Sequence, residues 1–352
     1  MLFGYPRTAT EDNWLHECLF EILQSIHISL QAEQVPLAWP DIIPERYRGR
    51  LSTRRGLRER LSTYQTTIEA LTSAERDRVL RALNNQNEIE QLLSCGVDCE
   101  PISNLPQSTW RPVKELFEFA FGLLTDLGIR DRQYSIIYHA VRYQVCPFCG
   151  CEFFDAPGAP REHLDHYLSE SRYPFAAVNL CNLVPMGSKC NSSYKLAQDI
   201  LWCDDGTRRR SFYPYSDTGL KISLQNSELF AGIDRQVPRW QIDFEPDNAE
   251  ALTWDEVFHI RERYTRDVLN PSFKGWLESF GPWFRKNIRI TPITDADLVM
   301  AIERYVGDLE LMGLRGREFL RVHVFQMLHR HCQQGDQRLL ELVRDIAAGS
   351  IV

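Results

Sequence analysis

The chain has 352 residues, 43% of them hydrophobic and 25% charged, and a net charge of −8. That balance is expected of a soluble globular protein with a sizeable core, and the acidic total excludes a protein that coats nucleic acid by bulk attraction. No apolar run approaches a membrane span, and the opening MLFGYPRTATEDNW lacks the basic start and apolar stretch of a secretory signal. A cytoplasmic protein with no membrane partner is expected.

Taken in order, Trp14, Leu15, Cys18, Leu19 and Ile22 recur at helical spacing behind the capping candidates Thr10, Asp12 and Asn13. Seven arginines follow between Arg46 and Arg60, first read as a solvated helix face and second as a strip for phosphate or a partner. Thr72 with Glu75 makes a capping-box pattern ahead of Val79, Leu80 and Leu83. Leu116, Phe117, Ala120, Phe121 and Leu124 give another apolar stripe, read as core. Residues 1–140 are thus expected to be helical.

Beyond residue 216, Lys221 to Leu224 and Trp240 to Phe244 alternate as short strands do. Thr253 and Glu256 suggest a second capping box before Val257, Ile260 and Tyr264. Helical stripes run through Leu298, Ile302 and Tyr305, then through Phe319, Val322, Phe325 and Met327. His323, His329, His331 and Cys332 read as a histidine-bearing helix face. The expected fold class is mainly α, with a small α+β insertion at 141–215 between the helical region 1–140 and the region 216–352.

The insertion carries the chemistry. Of ten cysteines, six (Cys146, Cys149, Cys151, Cys181, Cys190 and Cys203) fall in one window, a pattern that points to metal rather than disulfides in a reducing compartment. CPFCG, Cys146 to Gly150, has the spacing of a tight zinc knuckle. REHLDHYL puts Asp165 and His166 side by side, a hard oxygen ligand next to an imidazole. Strand alternation sets His163 on the face of Asp165, which makes it a candidate further metal ligand. In NLVPMGSKCNSSYK, Asn182 opens a short strand and a helix is predicted to start near Cys190. Its spacing places Asn191, Lys195, Gln198 and Trp202 on one face, with Leu196 and Ile200 opposite.

In this order the motifs resemble the HNH endonuclease superfamily, whose core is a β-hairpin followed by a helix around one metal ion. The likeness covers Cys146 to Trp202 and implies a ββα-metal module at 141–215. It implies that Asp165 and Asn191 hold the catalytic ion, Asn191 standing where the family has a final histidine. It implies that His166 is the general base and that Asn182 fixes its orientation. Oxygen ligands with open positions suit Mg2+ or Mn2+. A structural zinc is implied on Cys146, Cys149 and Cys190, but Gly187 stands where the fourth cysteine is usual. Cys151, Cys181 and Cys203 are alternatives for that place.

The implied activity is phosphodiester hydrolysis in DNA, in a bacterial antiviral defence or restriction setting and beside a partner such as an ATPase subunit. Lys195, Arg208, Arg209 and Arg210 are the expected substrate contacts. Between Arg142 and Tyr215, basic and acidic side chains balance, so grip on a duplex needs help from Arg208 to Arg210, the Arg46 to Arg60 strip or a partner. Two alternatives stay open: a catalytically silent zinc module for protein assembly, and a nuclease for structured RNA.

Overall fold

The computed structural model describes residues 1–159, 164–196, 198–217, 219–231, 237–288 and 292–350. The chain divides into two compact units: one of Gly4–Gln144 and Phe154–Thr218, the other of Met1–Phe3, Val145–Phe153 and Gly219–Val352. The 141–215 window is shared between them.

The first unit begins with α1 (Trp14–Gln31), α2 (Glu45–Leu51), α3 (Arg55–Glu69), α4 (Ser73–Gln86), α5 (Ile89–Leu93), α6 (Gln107–Asp126) and α7 (Ile129–Ala140). Helix α1 buries Leu15, Cys18, Leu19 and Ile22, the predicted stripe. Asn13 precedes it without capping it. Its side chain is used elsewhere, donating to Asn179 and accepting from the Leu180 amide. The box at α4 forms: Glu75 N donates to Thr72 Oγ1 and Thr72 N to the Glu75 carboxylate. Helix α6 packs on α3, and its Val113, Leu116, Phe117 and Ala120 are buried. Val113, Leu116 and Phe117 each contribute roughly 1.5–3 kcal/mol by leaving water.

The arginine strip spans α2 and α3, and the protein itself engages most of it. Arg46 pairs with Glu21, Arg48 with Asp41 and Arg54 with Asp126, while Arg50 lies over Trp14 and Arg60 over Phe119. That leaves the solvated-face reading as the simpler one.

After α7 comes an antiparallel pair, β1 (Leu164–His166) and β2 (Leu183–Pro185), with Asp165 opposite Val184 and His166 opposite Leu183. Two strands of three residues are marginal alone. Buried polar side chains from the rest of the unit hold them. Tyr5 Oη donates to Pro185 O at 2.5 Å, Gln133 Nε2 on α7 donates to Leu180 O at 2.9 Å and to Tyr215 Oη, and Tyr215 Oη donates to Leu183 O.

The second unit contains β3 (Lys221–Ser223) paired antiparallel with β4 (Asp243–Glu245), close to where alternation placed them. Then follow α8 (Ala249–Phe258), α9 (Ile260–Arg263), α10 (Asn270–Asn287), α11 (Asp295–Glu310), α12 (Phe319–Gln333) and α13 (Gln337–Ala348). The predicted box at Thr253 does not form, because Thr253 lies inside α8. The helix starts earlier at the extended Asn248, whose side chain accepts from Ala251 N. The box in this unit is Thr294 with Asp297, opening α11. His323 is half-buried on α12 beside Gln326, and it joins no group of metal donors among the described residues. No helix among the described residues is long and apolar enough to cross a membrane.

Candidate active site and cysteine cluster

His166 is 6% exposed, at the end of β1, with its ring 4.6 Å from that of Phe121 on α6. Its Nε2 lies 2.9 Å from Ala177 O, an acceptor only, so Nε2 carries the hydrogen and Nδ1 keeps its lone pair in the neutral ring. Nδ1 lies 3.5 Å from Glu170 Oε2. Burial holds the imidazole below its usual pKa, against the opposing pull of Glu170, Ala177 O and Asp165. At neutral pH the ring is therefore neutral. A cleft of about 80 Å³ runs along Glu170, Ser171, Pro174 and Ala177, with Lys114, Phe117 and Glu118 of α6 as its other wall.

Asn182 is fully buried, yet its contacts are not to His166. Its Oδ1 accepts from Leu168 N at 2.6 Å, and its Nδ2 donates to Leu168 O at 3.1 Å and Ala176 O at 3.2 Å. It pins both ends of the loop whose Ala177 carbonyl holds the imidazole, so its effect on His166 is indirect.

Asp165 is half-buried in the middle of β1, and its carboxylate accepts no hydrogen bond among the described residues. Arg130 on α7 stands near it, donating to Leu164 O at 3.2 Å and lying 4.6 Å from the Phe121 ring centroid. Burial lowers the pKa of Arg130, with Asp131 and then Asp165 opposing it. Sequence reading missed Arg130, Glu170 and Phe121. Only the spacing of Glu170, four residues past His166, offered a signal. His163 lies outside the described residues.

The predicted helix near Cys190 is one π-helical turn, Cys190–Lys195, ended by the left-handed Leu196 at φ 43°. Asn191 is half-buried at its start, while Gln198 and Trp202 lie beyond it and Leu196 is exposed rather than packed. Lys195 is 2% exposed, so its ammonium is not offered to solvent. Arg208 is also committed inside the unit, to Asp98 at 2.9 Å, Leu92 O at 2.6 Å and Leu201 O at 2.9 Å. Arg209 Nε donates to Cys203 Sγ at 3.0 Å, while Arg210 is exposed.

Cys146, Cys149 and Cys190 are buried, and as a triad they could hold a metal ion. Cys151, Cys181 and Cys203 do not join it among the described residues. The knuckle is built by Gly150 N donating to Cys146 O at 2.7 Å and Cys146 N to Glu152 O at 2.8 Å. Gly150 is required twice over. Its φ is +65°, and a Cβ there would meet Leu2 Cδ1 at 2.7 Å and Phe319 Cε1 at 2.9 Å. Trp254 Nε1 donates to Phe148 O and Tyr264 Oη to Cys149 O, two supports that no motif announced.

No family model, no curated protein and no solved structure matches this chain.

Proposed function

We propose that the first unit carries a metal-dependent phosphodiester hydrolase of the HNH type acting on DNA, with β1, β2 and the Cys190–Lys195 turn as its reduced ββα element. The observation that carries this reading is the imidazole of His166, fixed at Nε2 by Ala177 O and left with a lone pair at Nδ1 toward Glu170. A buried, neutral, oriented imidazole is what a general base for water requires. His166 Nδ1 takes the proton of the attacking water, Ala177 O steadies the far side of the ring, and Glu170 stabilises the imidazolium that results. Asn182 keeps that loop in place.

Asp165 and Asn191 fit a hard cation in donor type, since neither side chain is engaged in a hydrogen bond among the described residues. Mg2+ or Mn2+ there would supply positive charge to the scissile phosphate and the leaving oxygen. Lys114, on the wall of the cleft beside Glu170, would supply a cation to a neighbouring phosphate. The cysteine group suits zinc by its sulfur donors, and Cys146→Ser should then lower zinc content and soluble yield together.

The deciding experiment incubates the full chain with plasmid, single-stranded DNA and structured RNA, with and without Mg2+ or Mn2+. Cation-dependent cleavage of DNA that disappears in His166→Ala is the expected result. Cleavage confined to RNA moves the substrate. A second reading, a zinc module serving protein assembly, draws on the cysteine triad as the one close donor group found among the described residues. It gains if no substrate is cut while zinc is bound.

A further inference from the structure

The second unit holds a cavity of about 390 Å³, and the proposed reaction makes no use of it. All its lining residues belong to that unit. Leu220, Ile222 and Leu224, alternate residues along β3 and its flanks, line it together with Phe319 on α12, and all four are buried. The wall is thus largely apolar, and the volume falls in the roughly 300–1,000 Å³ range of small-molecule sites. The polar groups on the wall are closely specified. Gln326 Nε2 donates to Glu310 Oε1 at 2.9 Å, which leaves the amide oxygen facing His323 Nδ1 at 3.2 Å. An amide oxygen only accepts, so Nδ1 carries the hydrogen of the ring and Nε2 keeps a lone pair. Burial holds this imidazole below its usual pKa, against Gln326 and Glu310, so at neutral pH it is uncharged. Among the described residues nothing donates to His323 Nε2. Nothing among them donates to Gln225 Oε1 either, and that oxygen is buried. Lys221 and Glu245, the charged residues on the wall, are cross-strand partners of opposite sign and cancel.

We propose that this cavity binds a neutral small molecule with an apolar body and at least one N–H or O–H donor, received by His323 Nε2 and Gln225 Oε1. The class of ligand follows from what the walls lack. Two acceptors stand without a donor, and an acceptor left unpaired in the interior is costly to the folded state. A molecule that brings a donor relieves that cost, whereas one of the same shape without a donor does not. A carboxylate or phosphate would set its own acceptors against these and find no net positive charge in return. The apolar wall gives affinity, and the acceptor pair gives selectivity. The site is independent of the proposed hydrolysis and stands or falls without it.

The test is ligand-observed NMR titration of the full chain with indole, 1-methylindole and indole-2-carboxylate, in wild type, His323→Phe and Leu314→Trp. Indole should bind wild type, 1-methylindole should bind roughly tenfold more weakly or worse for want of its donor, and the carboxylate should not bind. His323→Phe keeps a ring in place but removes Nε2, and it should bring indole down to the level of 1-methylindole. Leu314→Trp puts an indole side chain on the wall of the cavity and should weaken both neutral probes together. Equal affinity of wild type for indole and 1-methylindole overturns the acceptor pair. Indole binding that survives Leu314→Trp unchanged lies elsewhere and overturns the site. Absence of binding by either neutral probe overturns the proposal outright. Thermal unfolding checks that each variant is folded, and Gln225→Leu, which should narrow the preference for indole, replaces His323→Phe if that variant is not.

Discussion

The protein contains two antiparallel pairs of the same size, β1–β2 and β3–β4, each strand three residues long. In β3–β4 the residues alternate between buried and outward positions, Ile222 and Phe244 being the inward ones. In β1–β2 every residue but Asp165 is buried, and one of the buried ones is a histidine. The first pattern follows from the pleat alone. The second sets an imidazole in a low-polarity surrounding and needs a compensating partner for every polar atom. Ala177 O, Asn182, Gln133 and Tyr215 supply those partners. The lesson is that equal strand length and pairing imply no common surroundings; the polar groups enclosed around β1–β2 are what set the candidate site apart.

The largest expected difference between the two pairs is in activity. If the proposed reaction is catalysed, His166→Ala should lower Mn2+-dependent cleavage by roughly 10²-fold or more, while Lys221→Ala on β3 leaves it unchanged. Equal rates for both would break the comparison. Next is stability: Asn182→Ala strands Leu168 N, Leu168 O and Ala176 O in the interior and should cost about 3 kcal/mol in urea unfolding. A cost below about 1 kcal/mol would mean that water replaces the amide.

A pH series comes third. Burial lowers the pKa of His27, on α1 beside Tyr64, to about 4, and lowers that of His166 in the same direction. The unfolded chain then takes up protons first as pH falls, so stability is full above about 6.5 and is lost toward 4. Between pH 7 and pH 5, His27 alone should account for about 2 kcal/mol, removed in His27→Gln. The smallest effect belongs to β3–β4. Ser227, which bonds Gln241 N at 2.9 Å and Gln241 O at 3.2 Å, should cost about 1 kcal/mol as alanine and leave the acid limb untouched.

Much of this arrangement could be read in the sequence. The α1 and α6 stripes, the Thr72 box and the position of β3 were visible because periodicity and capping are local. Asp165, His166, Asn182 and Cys146 with Cys149 were visible because they sit in short motifs. What surrounds them was not. Glu170, Arg130, Phe121 and Gln133 reach the site through tertiary packing, and no spacing rule announces a guanidinium over a phenyl ring. The turn after Cys190 looked like a longer helix because its polar face continues in sequence, whereas the left-handed Leu196 stops the backbone there. Lysine and arginine usually point outward, so the sequence suggests Lys195 and Arg208 as substrate contacts, whereas here both are enclosed.

The anchoring of β2 has a bearing on how this molecule reaches its native state. The bonds that hold it and the Leu180 turn leading into it come from Tyr5, 180 positions away in sequence, Asn13 at 167, Gln133 at 50 and Tyr215 at 32. Closing loops of that length precedes any reward from the contacts themselves, so such contacts form late. The strand pair bearing His166 should be among the last parts to order during refolding, after the helices that supply these anchors have formed. A fragment spanning only 141–215 would lack three of those four anchors, and it should remain unfolded however complete its motifs look.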